Sequence, residues 1–150
     1  MMSIRPARVE DLPAVVALLA DDPLGKLRED YRDPLPESYL AAFRVIDADP
    51  HQRLVVLEEA GEIIGTLQLT FIPYLTYRGG VRAQVEAVRV RKDYRSRGVG
   101  ERLFRWAVQT AEAEGAHLIQ LTTDKQRPDA LRFYEKLGFR ATHEGMKLHF

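Results

Sequence analysis

The chain has 150 residues, 45% of them apolar and 29% charged, with a formal net charge of zero and no cysteine. This length and balance fit one globular domain with a real core and exclude a disordered chain; the zero net charge argues against a general nucleic-acid binder. The missing cysteine excludes disulfides, thiolate metal sites and a cysteine nucleophile, and the longest apolar runs, such as AVVALLA, fall far short of a membrane span.

In chain order, MSIRPARV alternates weakly and predicts a first strand. Its opening residues lack a signal-peptide apolar region, so a cytoplasmic location is expected. EDLPAVVALLA follows, with Leu12, Val15, Val16, Leu18 and Leu19 at helical spacing and Asp11 or Glu10 as a cap before Pro13. Residues 21–36 carry Pro23, Gly25, Pro34 and Pro36 and read as a long polar connection with room for a short helix. ESYLAAFRVIDA predicts a second helix. QRLVVLEE, AGE and IIGTLQLTFIP predict a hairpin, YLTYRGG a loop and RAQVEAVRVR a fourth strand. Strict alternation on that strand places Gln84, Glu86, Val88 and Val90 on one face and Val85, Ala87 and Arg89 on the other. A helix is predicted from about 97 to 114, with Leu103, Phe104, Ala107, Val108 and Ala111 as its stripe and Gly115 as its stop. HLIQLTT predicts a fifth strand, and Pro128 opens a helix through DALRFYEKL that Gly138 ends. FRAT and MKLHF predict two last strands around a turn at His143, Glu144 and Gly145. No repeat or linker interrupts the chain, so residues 1–150 are expected to form a single α/β domain.

Charge is unevenly placed along this frame. Residues 89–105 hold seven basic and two acidic residues, and residues 21–37 hold six acidic and three basic ones. The basic stretch contains RSRGVG, which follows a strand and opens a helix. The first amides of a helix have no internal acceptor, and the macrodipole adds positive charge there. Gly98 and Gly100 let the backbone approach a bulky anion, and Arg95 and Arg97 add forked donors. This is a candidate phosphate cradle, although a Gly-x-Gly taken alone reads more readily as a structural turn. It lacks the Lys-Ser/Thr of a P-loop and the third glycine of a dinucleotide fingerprint. The four histidines, His51, His117, His143 and His149, have no close metal-ligand spacing, so no metal is expected.

The Arg-x-x-Gly-x-Gly turn, preceded by VEAVRVRKDYR and followed by ERLFRWAV and then ALRFYEKLGF, resembles the GNAT N-acetyltransferase family. The resemblance covers nearly the whole chain; the N-terminal helices and the loop at 73–80 match in outline. It implies a central mixed, mostly antiparallel sheet of about seven strands, flanked by about four helices, with a parallel splayed pair between strands 4 and 5. It implies acetyl-CoA as cosubstrate. The turn from Ser96 through Arg97, Gly98, Val99 and Gly100 to Glu101, with Arg95 beside it, would hold the pyrophosphate. The backbone of Val88, Arg89 and Val90 would pair with the pantetheine arm as one strand pairs with another. FYEKLGF resembles the family's late helix, which lies along the cofactor thiol. Where the family often has Asn three residues before the helix Ala, this sequence has Arg127; it is read as a phosphate contact, with departure from the site as the alternative.

Amide formation from an amine and a thioester needs an unprotonated amine, a polarised carbonyl and a protonated leaving thiolate. An alkyl amine with a pKa of about 10.4 is only about one part in 2,500 neutral at pH 7, a deficit of roughly 4.6 kcal/mol. Glu86 is the candidate base: on the face of Val88 and Val90, partial burial would raise its pKa toward the working pH. The competing reading is a Glu paired with a neighbouring Arg or lying at the sheet's open end. Tyr134 is the candidate acid for the departing sulfur; the competing reading places it in a core stripe with Ala130, Phe133 and Leu137. A strand amide near Val88 would polarise the carbonyl.

Further polar candidates are Tyr31, Tyr39, Tyr74 and Tyr77 for the acceptor pocket or for loop packing, and Thr122, Thr123 and Asp124 for the acceptor or as a helix cap. Trp106 is expected in packing. The function expected is acetyl-CoA-dependent N-acetylation by direct attack in a ternary complex. The acidic segment suggests a cationic small-molecule or peptide amine as acceptor, with a solvated face as its alternative reading; neither nucleic acid nor membrane is expected as partner, and a homodimer is an open prospect. The alternatives are a non-catalytic acyl-CoA-binding regulatory module and, without the P-loop lysine, nucleotide-phosphate binding.

Overall fold

A computed structural model describes all 150 residues. The elements follow in the order β1 (Met2–Pro6), a 3-10 turn (Val9–Asp11), α1 (Leu12–Ala20), α2 (Gly25–Arg28), α3 (Glu37–Ala48), β2 (Gln52–Glu59), β3 (Glu62–Pro73), α4 (Thr76–Gly79), β4 (Val81–Val90), a second 3-10 turn (Lys92–Tyr94), α5 (Val99–Ala113), β5 (Leu118–Gln120) and α6 (Pro128–Lys136). The five strands form one sheet in the order β1-β2-β3-β4-β5. The first three pairings are antiparallel and β4–β5 is parallel.

Each face of the sheet is covered by helices whose sequence carries an apolar stripe. On one face α5 buries Val99, Leu103, Phe104, Ala107 and Ala111 against Leu57, Ile64, Leu67, Leu69, Ala83 and Val85. On the other, α1 and α3 close over Ala7 and Val56 with Leu12, Val15 and Phe43. Each large side chain sealed in these layers contributes about 1.5–3 kcal/mol. Thr66, buried in mid-sheet, donates its hydroxyl to the Val55 carbonyl at 2.9 Å and so leaves no orphaned polar group.

Three expectations change. The sheet has five strands, not about seven, because residues 140–150 join no ladder and are exposed throughout. The alternation of Met146, Leu148 and Phe150 describes what that segment can pair with; within this chain it meets no partner strand. There are six helices, not about four, because α2 and α4 add single four-residue turns. Finally, β4 does not alternate strictly. Its pairing with β3 slips between Thr66 and Gln68, and Ala87 takes a left-handed φ of 55°. The extra residue at this bulge reverses the alternation beyond it. Val88 and Val90 therefore pack on the α5 side with Ala83 and Val85, while Glu86 and Arg89 share the α1 side.

Candidate active site

The parallel ladder between β4 and β5 is short. It runs from Arg82 opposite Leu118 to Gln84 opposite Gln120, where the two glutamine side chains are bonded at 2.7 Å. β4 continues to Val90 with β3 on one side only. The stretch Val85–Val90 thus offers its other edge, backbone donors and acceptors included, along the splay between the two strands. Val88, Arg89 and Val90, the residues expected to bind pantetheine by their backbone, lie on this edge.

The edge leads into the glycine turn. Ser96 and Gly98 have left-handed φ values of 61° and 80°, and Gly98 caps α5 in that conformation. Alternation of this kind turns successive amides toward one point and makes an anion-binding concavity. Arg102 is the first residue of the helix whose amide donates backward, to Gly98 O at 3.0 Å. The amides of Val99, Gly100 and Glu101 are left facing out of the N-terminus. A Cβ on Gly100 would meet Phe133 at 3.4 Å and Val90 at 3.8 Å, so the turn sits directly on the α5–α6 core. Arg95 is held in place, donating to Val90 O at 3.2 Å and to Asp21 O at 3.1 Å. Arg97 stacks on Tyr94 at 4.7 Å and makes no ion pair, which leaves its charge available beside the turn.

Tyr134 projects from α6 into an aromatic cluster, with ring centroids 5.3 Å from Phe104, 5.6 Å from Phe133 and 6.2 Å from Phe139. Burial pushes its phenol above the ordinary tyrosine range, against the opposing charges of Arg89 and Arg127. The hydroxyl therefore keeps its proton under neutral conditions and can donate it. Glu86 is exposed on the opposite face of β4, so the burial expected of it is absent, and it forms no ion pair with a neighbouring arginine. The free edge of β4 runs between base and acid candidates.

One cluster here was not anticipated from the residues. Asp22, at the end of α1, accepts from the amides of Leu24 and Gly25 at 2.9 and 2.6 Å. Arg127 reaches it from the N-cap of α6 at 3.1 and 3.2 Å, and Arg89 Nε lies 2.9 Å from its Oδ2. Burial alone would push the Asp22 carboxyl up; the Gly25 amide, Arg89, Arg127 and the Leu24 amide outweigh it and hold the group below its ordinary value. Arg89 thus acts here through its side chain, where only its backbone was expected. Sequence carries no signal for this: Asp22 and Arg127 are 105 positions apart, and Arg89 reaches this face only through the bulge.

Other candidates fall outside. The Tyr39 hydroxyl ties Glu29 and the Asp30 amide to α3 at 3.0 Å each, and Tyr31 is exposed. Tyr74 and Tyr77 cluster with His117 and Arg82 at the opposite end of β4. Asp124 accepts from the Gln126 amide at 2.9 Å and shapes the turn before α6. Thr122 and Thr123 bear no bond to the site, His143 is exposed beside Thr142, and Trp106 packs against the core. No cluster of His, Asp or Glu could hold a metal ion, and no helix is long and apolar enough to cross a membrane.

Comparison with known proteins agrees with this geometry. A crystal structure described as a transcriptional regulator from Bacillus halodurans C-125 superposes with a TM-score of 0.97, at 54% identity over all of both chains. The aminoalkylphosphonate N-acetyltransferase of Salmonella typhimurium is 29% identical over 140 residues, 93% of this chain and 86% of that one. The L-methionine sulfoximine/L-methionine sulfone acetyltransferase of Pseudomonas paraeruginosa is 29% identical over 142 residues, 91% of this chain and 79% of that one. The profile of the Acetyltransferase (GNAT) family matches residues 20–139, which take in α2 to α6, the bulged β4 and the glycine turn. This chain belongs to the GNAT family of N-acetyltransferases.

Proposed function

We propose that the protein transfers an acetyl group from acetyl-CoA to the primary amine of a small acceptor by direct attack in a ternary complex. The observation that carries this reading is the free edge of β4 beyond Gln84, which ends in outward-facing amides and separates Glu86 from Tyr134. The turn at 96–101, with Arg95 and Arg97, holds the pyrophosphate, and the Val88–Val90 backbone pairs with the pantetheine amides. Glu86, directly or through water, takes the proton of the attacking amine. The new C–N bond forms as the C–S bond breaks, a β4 amide near Val88 receives the charge on the carbonyl oxygen, and Tyr134 returns a proton to the sulfur. With no cysteine in the chain, no thiol ester forms on the enzyme.

Support for a small amine comes from relatives whose names specify an aminoalkylphosphonate and methionine sulfoximine or sulfone. A cationic acceptor loses its basis, because the acidic segment is largely engaged within the chain. Asp22 meets Arg89 and Arg127, Asp21 meets Arg95, Asp30 meets Arg32, and Glu37 meets Arg44. The whole chain acts as one catalytic domain in the cytoplasm, without nucleic acid or membrane. Its exposed Met146, Leu148 and Phe150 are covered in a homodimer; light scattering should give twice the 17.1 kDa chain mass, and a monomer at micromolar concentration refutes the dimer.

A second reading rests on the description of the 54% identical neighbour as a transcriptional regulator: an acyl-CoA-binding module without turnover. A panel of amines with acetyl-CoA, read by release of free thiol, separates the two. Amine-dependent thiol release is expected. Tight acetyl-CoA binding without release from any amine would favour the regulatory module.

A further inference from the structure

The charges around Asp22 do not balance. Two guanidinium groups, Arg89 and Arg127, converge on this one carboxylate, and Arg28 on α2 is close enough for its charge to bear on Arg89. Asp22 Oδ1 already serves two backbone amides as well as Arg127. Arg89 Nε, although 2.9 Å from Oδ2, is not aligned for a hydrogen bond and is a buried donor without an acceptor. The side chains of Asp22, Arg89 and Arg127 are only 11%, 15% and 29% exposed. Surplus cationic donors withdrawn this far from water are costly unless an anion meets them, and the guanidinium fork matches the two oxygens of a carboxylate, phosphate or phosphonate.

The place of the cluster says which molecule brings the anion. Arg89 follows Glu86 by three residues and, through the bulge at Ala87, shares its face. At about 3.3 Å per strand residue the two positions are roughly 7–10 Å apart, a distance that a short amine with an anionic group at its other end can span. Both arginines also bear electrostatically on Tyr134, opposing the rise that burial gives its phenol. The pyrophosphate turn lies farther along the chain, past Val90, and has its own donors in the Val99–Glu101 amides.

We propose that the acceptor is a small primary amine bearing a carboxylate or phosphonate, seated on Arg89 and Arg127, with Asp22 positioning both guanidinium groups. This rests on the acetyl-transfer reading and adds the acceptor class to it. The test compares γ-aminobutyrate and 3-aminopropylphosphonate with butylamine and putrescine as acceptors. For wild type, kcat/KM for the anionic amines should exceed that for the other two at least tenfold. Arg127→Gln and Arg89→Gln should collapse this ratio toward one, acting through acceptor KM, and Arg127→Lys should restore part of it. Isothermal calorimetry of 3-aminopropylphosphonate into the CoA-loaded wild-type protein gives a readout independent of turnover, and binding is expected. Preference for butylamine or putrescine overturns the proposal. So does a preference that survives both Gln substitutions, or a tenfold rise confined to the acetyl-CoA KM in Arg127→Gln, which would make the anion a phosphate of the cosubstrate. If the phosphonate binds yet no amine is acetylated, the transfer reading fails while the anion seat stands; if it does not bind, the seat itself is refuted.

Discussion

Tyr134 joins two demands in one side chain. Its ring fills the space between Phe104, Phe133 and Phe139, and its hydroxyl, whose pKa burial raises, is the proposed proton donor. The leaving thiol has a parent pKa of about 8.5, so acid assistance belongs at the low end of the general range. Tyr134→Phe should lower kcat by roughly tenfold to a few hundredfold, with KM for acetyl-CoA and Tm nearly unchanged; kcat within twofold of wild type, measured on the same preparation, would assign the residue to packing alone. Glu86 differs in being exposed, and its proposed task is to take a proton from an amine that is mostly ammonium at pH 7. Glu86→Gln should cost about 10–100-fold near pH 7, and the deficit should shrink as pH rises toward the amine pKa and free amine becomes abundant. A deficit equal at every pH would make Glu86 an orienting group. Both candidates could be named from the sequence because each departs from its neighbours or falls in a recognisable motif. Asp22 and the Arg89 side chain were not, because their roles exist only where α1, β4 and α6 meet.

At the scale of elements, the glycine turn depends on its two ends. Gly98 is left-handed where it caps α5, and the first amides of α5 are left without helical acceptors. Gly100 is different: its φ is not left-handed, and an added Cβ meets only Phe133 and Val90 at ordinary contact distances. Gly100→Asp should therefore fold, yet place a carboxylate against the pyrophosphate. Calorimetry should show CoA affinity lowered at least tenfold; unchanged affinity in a folded variant would remove the turn from the cofactor site. The α1–α2 corner has a comparable constraint, since a Cβ on Gly25 would lie 2.0 Å from the Leu19 carbonyl oxygen. That close turn presents the Gly25 amide to Asp22 and so sets where the arginine pair converges.

For the molecule as a whole, an ion network outside the site joins β1, β2 and the turn into α1. Arg5 pairs with Asp11 at 2.7 Å and with Glu58 at 2.8 Å, and Asp11 also accepts from the Arg8 amide at 2.7 Å. The Arg5 hydrogen bonds hold the Asp11 carboxyl below its ordinary range, against burial, with the Arg8 amide assisting. Because the folded-state pKa is depressed, the stabilisation is complete above the unfolded carboxyl value of about 3.9 and is lost as pH falls through the folded value. Asp11→Asn should thus destabilise by about 3 kcal/mol at pH 7, a Tm loss of roughly 6–12 °C. In a calorimetric pH series the gap to wild type should narrow below about pH 4; a constant gap would show that charge is not the source.

What the sequence determined by itself is what short-range physics encodes. Helical spacing, strand alternation, Pro128 at a helix start and glycines at the ends of helices identified five strands and the four longer helices within a few residues. The Arg-x-x-Gly-x-Gly turn between a strand and a helix marked the candidate anion site, because both flanking elements and the turn are local. The tertiary structure decided the rest. Which way Arg89 faces follows from one extra residue at Ala87, which two-residue alternation has no means to register. Whether MKLHF becomes a strand depends on a neighbouring edge, and hydrogen-bond partners of a strand are never local. The charge around Asp22 was decided in the same way: a segment that is acidic along the chain meets, once Arg89 and Arg127 fold onto Asp22, two guanidinium groups on one carboxylate.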